Sequence, residues 1–420
     1  MRTAPAPDVA AVDIGVDFTD PAVFRDGNPH AVWHAMRERD PVHWHPPTGS
    51  RVGYWSVTRY RDVEAVLRDH RTFTSEGGTL LALLGEPDPA SRQQLSATDP
   101  PRHTQMRAPL QRALVGGRTD RHQDLLREHA RRLLDPMRSG EPFDFAAAMH
   151  ELPVVMFGTL MDLPSSDWAW LAQRAETAIA PDDPLYRLPA GAQATAQRAH
   201  RELFAYFQDM ATARARRPGD DLLSLLLTMH VDGRPLDRGA VMANCYLLLI
   251  GSTVTVPEVP KVALLELIAT GGYEAWATQP DLLGSGIEEA LRWASPANHV
   301  LRYATCDTRI GDVSIRAGDA VVVWYGSANR DREVFDEPFT FDVRRHPNRH
   351  LTFGSGAHYC VGFAVARMTL RTLFEELFAT FETIELAGEV THIASNFVAG
   401  ITSLPVAART RGAISVGERA

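Results

Sequence analysis

One stretch of the chain carries residues whose types and spacing could do chemistry: Phe353-Gly354-Ser355-Gly356-Ala357-His358-Tyr359-Cys360-Val361-Gly362. A single cysteine ends a glycine-punctuated turn and leads directly into an apolar helical run, Phe363 to Phe381. Gly354, Gly356 and Gly362 permit backbone conformations closed to other residues and let a flat group approach closely. A cysteine beside a helix N-terminus is expected to favour the thiolate, because that end of a helix carries partial positive charge. A thiolate facing a flat macrocycle is one way a protein holds haem iron. A lone cysteine in a tight turn is ordinarily a packing residue. Here the coincidence of several fixed positions in F-G-x-G-x-H-x-C-x-G argues for a ligand.

Those residues need elements to hold them, and helical patterns dominate the chain. Helices are predicted over His30–Arg39, Tyr60–Asp69, Thr119–Met137, Glu151–Leu163, Ser166–Ile179, Ala192–Arg216, Leu222–Met229 and Leu282–Trp293. Asp99-Pro100-Pro101 predicts a further helix start with Asp99 as its N-cap. That places His103 and Arg107 one turn apart on one face. Val241–Gly272 is the longest apolar pattern, and its run Leu247-Leu248-Leu249-Ile250 predicts a buried central helix. Pro257 and Pro260 should kink it, and the missing Pro257 N–H frees the Thr253 carbonyl to hold a water. Strand patterns are short: Tyr54–Val57, Val300–Ala304, Val313–Ile315, Ala320–Trp324 and the C-terminal tail. The expected fold is mainly α with minor β, a single domain over residues 1–420 with a loosely ordered segment at 1–20.

Composition narrows the function classes. A chain of 420 residues, 45% hydrophobic and 23% charged, can bury a large core. Its net charge of -9 gives no reason to expect nucleic acid or an anionic membrane as a partner. Nearly all the positive charge is arginine, and Lys261 is the only lysine. Three distant cysteines, Cys245, Cys306 and Cys360, do not suggest a disulfide framework. The N-terminal residues lack a basic region followed by an apolar run, so no signal peptide or membrane anchor is expected. The expectation is a cytoplasmic monomer.

The Cys360 loop resembles the haem-binding loop of the cytochromes P450. Other motifs carry the same resemblance across nearly the whole chain from about residue 50. Glu289 and Arg292 match the family's E-x-x-R pair, with Arg345 as the third partner in the coil before the cysteine and Arg344 a poorer candidate. His103 and Arg107 match D-P-P-x-H-x-x-x-R, and Ala328-Asn329-Arg330-Asp331 resembles the family's A-N-R-D run. The resemblance implies a mainly helical haem-thiolate fold with haem b (iron protoporphyrin IX) ligated by Cys360 under Phe353, Gly354 and Gly362. His103, Arg107, Arg302 and His358 would bind the propionates, since carboxylates in an apolar pocket need cationic, hydrogen-bonding partners. The implied reaction inserts one oxygen atom from O2 into a C–H or C=C bond. Electrons would come from a separate ferredoxin or flavodoxin and its reductase, with Arg112 and Arg349 as docking candidates.

The central helix departs from the family pattern, which places an acid and then a threonine after a glycine. Setting Gly251 on that glycine puts Thr253 at the acid and Val254 at the threonine. Valine has no donor for a bound oxygen. Sliding by one makes Thr253 the alcohol and Ser252 the stand-in for the acid, but gives up the glycine. The first register is preferred. Proton delivery is then expected from water, Ser252, Thr253 or the substrate's own hydroxyl.

Family position assigns substrate contacts to the loop 76–97, the connection 170–195, Pro296–Leu301 and Ser395–Ile401. Leu81, Leu84, Ile250, Val300, Phe397 and Val398 would give an apolar lining, with His299 and Asn396 as polar handles. That suits a hydrophobic secondary metabolite, free or borne on a carrier protein. The irregular central helix also keeps open oxidative coupling or ring closure. A haem carrier or gas sensor is the alternative outside catalysis.

Overall fold

The longest apolar run in the sequence forms two helices rather than one. The structure is a computed structural model that describes residues 8–49, 51–115 and 122–412. In it Arg238–Thr253 and Glu258–Thr270 are separate helices joined by a turn through Val254-Thr255-Val256-Pro257. The expected kink is therefore a full break. The cause is local: Pro257 cannot donate to the Thr253 carbonyl, and Pro260 removes the next turn's N–H as well. By length and mean hydropathy, 1.6, Arg238–Thr270 would pass for a membrane span, but half of its most apolar window is buried in the fold.

Each half of the broken helix enters a different core. Leu249, Ile250 and Val254 pack with Leu203, Phe207, Leu223 and Leu226. Val262, Ala263 and Leu267 pack with Ile287, Ala290 and Leu291 of the Leu283–Ala294 helix and with Leu370, Phe374 and Leu377 of the Phe363–Thr380 helix. Each fully buried Val, Leu, Ile or Phe side chain among these contributes about 1.5–3 kcal/mol. The Cys360 loop is thus clamped between two helices that share one core.

A five-stranded sheet closes the other side: β1 (Val42–His45), β2 (Tyr54–Val57), β3 (Phe73–Thr74), β4 (His299–Ala304) and β5 (Ala320–Trp324). Its order is β1-β2-β5-β4-β3, with β2 and β5 parallel and the other pairs antiparallel. β5 is buried at every position, so it reads as a continuous apolar run rather than an alternating one. The fold is mainly α, as the sequence patterns indicate.

Several expectations change. Of the segment 1–20 expected to be loosely ordered, residues 1–7 lie outside the described residues; in the rest, Phe18 is fully buried against Trp33 and Trp324, and Arg39 donates to the Val9 and Val12 carbonyls. Thr119 lies outside the described residues, and the helix expected there runs Gln123–Leu134 before a 3-10 turn. Asp99 is not an N-cap. The helix Arg102–Leu114 starts after Pro101 without a side-chain cap, because the Asp99 carboxylate is drawn to other donors.

Candidate active site

Cys360 sits at the end of a loop that the backbone forces into shape. Gly354 and Gly356 have φ of +73° and +71°, in the left-handed region that favours glycine. A Cβ at Gly356 would also lie 2.8 Å from Cα of Arg68, so only glycine lets the loop rest on the end of the Tyr60–Arg68 helix. The Cys360 N–H donates to the Phe353 carbonyl at 2.7 Å, closing the loop. The Arg367 guanidinium lies 4.6 Å over the Phe353 ring and grips Glu288 with two bonds of 2.6 and 2.7 Å. His350 joins that carboxylate at 3.1 Å.

The environment of the sulfur corrects the simple helix-end argument. Burial pushes the Cys360 thiol up, while the Gly362 N–H and the charges of Arg107 and Arg367 pull it back. The helix end does not by itself make a thiolate; a bound cation would have to complete it. Although Cys360 lies deep in the fold, it is only partly covered, so open space adjoins it.

The imidazoles and guanidiniums expected near a dicarboxylate do gather. The rings of His103 and His358 are 4.4 Å apart. His103 is buried, and its Nε2 has no partner among the described residues. Arg302, also buried, donates Nη1 to the Leu301 carbonyl at 2.8 Å and pairs with no carboxylate among the described residues. Arg107 is half-buried, bonds Gln111 through Nε, and is close enough to Cys360 to feel its charge. Burial drives His103 down to about 3, so it is a neutral imidazole. An orphaned imidazole nitrogen and an under-used buried guanidinium fit a flat dianionic group ligated at Cys360, as haem is.

Asp99 is a site residue that the sequence reading missed, because a helix-cap signal explained it locally. Its carboxylate accepts from His358 Nε2 at 3.1 Å and from the Thr74 hydroxyl at 2.5 Å. Burial opposes ionisation, but the bonds from His358 and Thr74 outweigh it and hold the carboxyl at about 2. Burial also disfavours charge on His358, so its imidazole is a neutral donor to the carboxylate. The Asp99 carboxyl titrates near 3.8 outside the fold. Its stabilisation is therefore complete above that value and lost as pH falls toward about 2. Asp99→Asn should lower stability at pH 7 and flatten the acid-unfolding limb between about pH 4 and 2. Superimposable acid limbs by circular dichroism would refute the pairing.

A second network holds the coil before the loop. Arg292 grips Glu289 with two bonds of 2.7 Å, and both side chains are fully buried. Arg345 Nε reaches the same carboxylate at 3.2 Å, with Asn348 Nδ2 at 3.0 Å. The remaining donors of Arg292 take the carbonyls of Asn329, Pro338 and Thr340. Arg344 instead bonds Gln279 at the surface.

The broken helix leaves part of its surface uncovered near its C-terminal end. Gly251 is exposed although its helix runs through the core, and a Cβ there would meet nothing within 4 Å. Thr253 and Val254 are buried, and the Ser252 and Thr253 hydroxyls donate to the Leu248 and Leu249 carbonyls at 2.8 Å. Thr255, four residues beyond Gly251 on the same side, is partly exposed and donates to the Gly251 carbonyl at 2.8 Å. The sequence register passed over it because it counted from the glycine to the next residue types.

The expected pocket lining divides. Val300 and Phe397 remain partly exposed, whereas Leu81, Leu84, Ile250 and Val398 are core residues. His299 is not a handle for substrate: it is fully buried, Nε2 accepts from the Leu81 N–H at 2.9 Å, and Nδ1 meets the Asn396 carbonyl at 3.1 Å. The Asn396 side chain likewise turns toward the Thr19 carbonyl. Behind this turn, Glu258 accepts from Lys261 at 2.6 Å and from the Ile401 N–H at 2.9 Å, and Lys261 also donates to the Ile401 carbonyl. A Cβ at Gly400 would lie 2.7 Å from the Glu258 carboxyl carbon, so the turn and the ion pair require one another.

Comparison with known proteins bears on this arrangement. The cytochrome P450 family model matches residues 279–405, which include Glu289, Arg292 and Cys360. A putative cytochrome P450 126 of Mycobacterium tuberculosis is 35% identical, across 94% of this chain and 98% of its own length. The chain belongs to the cytochrome P450 family. A linalool 8-monooxygenase of Pseudomonas putida is 30% identical over 93% of this P450 and 98% of the relative. Among solved structures, the P450 OxyD, described as involved in the biosynthesis of vancomycin-type antibiotics, has a TM-score of 0.85 at 30% identity, covering 94% and 100% of the two chains. This P450 is accordingly a haem-iron oxidoreductase of the monooxygenase class.

Proposed function

We propose that this P450 binds haem b through Cys360 and oxygenates a hydrophobic natural product. The observation that carries the reading is the juxtaposition of a part-covered Cys360 with the orphaned His103 Nε2 and the under-used Arg302. Haem iron supplies dioxygen activation. The chain supplies the rest. His103, Arg107, Arg302 and His358 hold the propionates, and Asp99 fixes the orientation of His358. Phe397 and Val300 present apolar surface to substrate, while the packed joint of Leu81, His299 and Asn396 fixes the wall behind them. The half-exposed apolar lining favours a medium or large hydrophobic molecule, and OxyD's role in antibiotic biosynthesis supports a secondary metabolite. Electrons come from a ferredoxin or flavodoxin, for which exposed Arg112 and Arg349 offer docking charge. The protein acts as a cytoplasmic monomer. Titrating candidate metabolites into the haem-loaded protein and following the Soret shift, then running turnover with a surrogate ferredoxin system, tests the reading. Absence of any shift and turnover across apolar scaffolds would refute it.

Proton delivery departs from the family arrangement. Thr255 takes the role, because its hydroxyl is the one at the break that is both partly exposed and on the open side of Gly251. Val254→Thr adds a hydroxyl in the core, so it should leave coupling of electron use to product unchanged while costing about 1–2 kcal/mol. Thr255→Val should lower coupling severalfold and raise peroxide release. The reverse pattern, with Val254→Thr improving coupling, would return the role to position 254.

The broken helix also favours a second outcome, coupling or ring closure without oxygen insertion. Turnover under 18O2 separates the two, since insertion labels the product and coupling does not.

A further inference from the structure

Tyr325 is a buried phenol whose hydroxyl no described residue uses. It follows β5 directly and opens the short helix Tyr325–Ala328. Along β5, Val321 and Val323 pair with Arg302 and Val300 of β4, and the Tyr325 N–H donates to the Asn298 carbonyl at 2.9 Å. Side chains alternate between the faces of a strand, and directly paired residues share a face. Tyr325 packs in one core with Val321, Val323, Val66 and Leu67, whereas Trp324 packs with Val322 and Leu301 behind the sheet. The face that Tyr325 continues is therefore the one that carries Arg302.

The tip of the phenol reaches the Cys360 loop. A Cβ at Gly354 would lie 3.5 Å from the Tyr325 hydroxyl and 3.7 Å from the His358 carbonyl. Burial pushes the phenol up to about 12, with Arg302 pulling it back and Cys360 pushing it further, so it keeps its proton. The residue is only 7% exposed, yet its oxygen is not sealed in. The Tyr54 hydroxyl, also unpartnered, is shut away from open space, and that of Tyr325 is not. Arg302 repeats the pattern, since its nitrogens other than Nη1 bond no described residue and border open space too. Packing explains the ring of Tyr325 but not the placing of its oxygen, because buried donors in folded proteins are nearly always used.

We propose that Tyr325 is a further haem-binding residue, donating its hydroxyl to a propionate beside Arg302. The assignment rests on the reading that Cys360 holds haem b. A carboxylate against this apolar wall is well served by a neutral phenol and a guanidinium together. The sulfur is the other anion nearby, but it already takes the Gly362 N–H, and Tyr325 shares its sheet face with Arg302. The contact also ties the haem to the buried Glu289 network. The Asn329 N–H donates to the Tyr325 carbonyl at 2.9 Å. Asn329 in turn gives its own carbonyl to Arg292 at 2.8 Å and its side-chain oxygen to the Leu351 N–H at 2.7 Å. One short helix thus joins a haem carboxylate to the coil that leads into the Cys360 loop.

Tyr325→Phe removes one oxygen that bonds nothing in the protein, so the fold should persist. The haem-loaded variant should lose haem to excess apomyoglobin about tenfold faster than the native enzyme, the scale of one hydrogen bond to a charged group. Its resonance Raman spectrum should show a shifted propionate-bending band and an unchanged iron–sulfur stretch. Loading both proteins with the dimethyl ester of haem removes the charged acceptor, and the difference in loss rate should then collapse. A variant that loses haem no faster than the native enzyme overturns the assignment. So does a difference that persists with the ester. An iron–sulfur stretch that moves while the propionate band stays would put the hydroxyl on the sulfur and overturn it too. Should the variant load haem poorly, a crystal structure of the native haem-loaded enzyme decides. A hydroxyl within about 2.5–3.0 Å of a propionate oxygen upholds the assignment, and any other partner, or none, overturns it. Native protein that takes up haem without the red-shifted carbon-monoxide band refutes the Cys360 reading and this assignment with it. The band together with unchanged haem loss refutes the role of Tyr325 alone.

Discussion

Cys360→Ser should lose the red-shifted carbon-monoxide difference band that marks the family, and turnover should fall to background. Serine is close in size, and the contacts that shape the loop are made by the backbone: the Cys360 N–H on the Phe353 carbonyl, and the left-handed Gly354 and Gly356. The fold should therefore survive, with a stability change of about 1 kcal/mol or less, the scale of an ordinary single substitution. What goes is the soft, ionisable sulfur. Burial opposes its ionisation and outweighs the Gly362 N–H, Arg107 and Arg367 that favour it, so the bound iron would complete the thiolate. A hydroxyl is far harder to ionise and cannot use those partners in the same way. Separating spectrum and turnover from melting temperature makes the result readable. A serine variant that keeps the band would mean that another group holds the iron.

Glu289→Gln should produce the largest loss of stability of any single isosteric change in this chain. The carboxylate is fully buried and takes Arg292, Arg345, Asn348 and the Asp342 N–H together. Removing its charge leaves two guanidiniums facing a neutral amide, and breaking a buried pair in this way costs about 3–5 kcal/mol. Against a typical domain stability of about 5–15 kcal/mol, that is enough to depress folding yield and haem loading together. Arg344→Ala is the matched control, because Arg344 bonds Gln279 at the surface and should change stability by less than about 1 kcal/mol. Denaturation midpoints and haem-to-protein ratios of the two variants provide the measurement. Equal midpoints would show that the network is dispensable.

The parts of the site that were legible in the sequence are those written in short spacings. Glu289 and Arg292 are neighbours on a helix whatever the rest of the chain does, and the glycines around Cys360 declare a turn that no other residue could make. What stayed hidden depends on partners far away in sequence. Asp99 carries a strong local capping signal, yet Thr74 and His358 offer its carboxylate better donors than a helix start does. His299 reads as a pocket handle until Leu81 and Asn396, brought in by two distant loops, use both ring nitrogens. Pro257 announced a disturbance in the central helix. That its two halves enter separate cores, one with Val254 and the other with Val262, depends on helices far away in the chain. The burial of Arg37 and Arg330 gave no signal beyond the motif run that contains Arg330, since an arginine's burial is a property of the fold and not of its neighbours in the chain.

The Glu258–Lys261 pair has a practical consequence. Lys261 is the only lysine, and it is fully buried with its amine held by Glu258 and the Ile401 carbonyl. The folded surface therefore offers amine-directed reagents no ε-amino group, and a succinimidyl dye or a glutaraldehyde cross-linker should find little besides the chain's N-terminal amine. Labelling of Lys261 can then happen only when the ion pair opens beside the helix break. The rate of that slow second label would count how often the Gly400–Ile401 turn comes away from the ion pair, against an otherwise silent background.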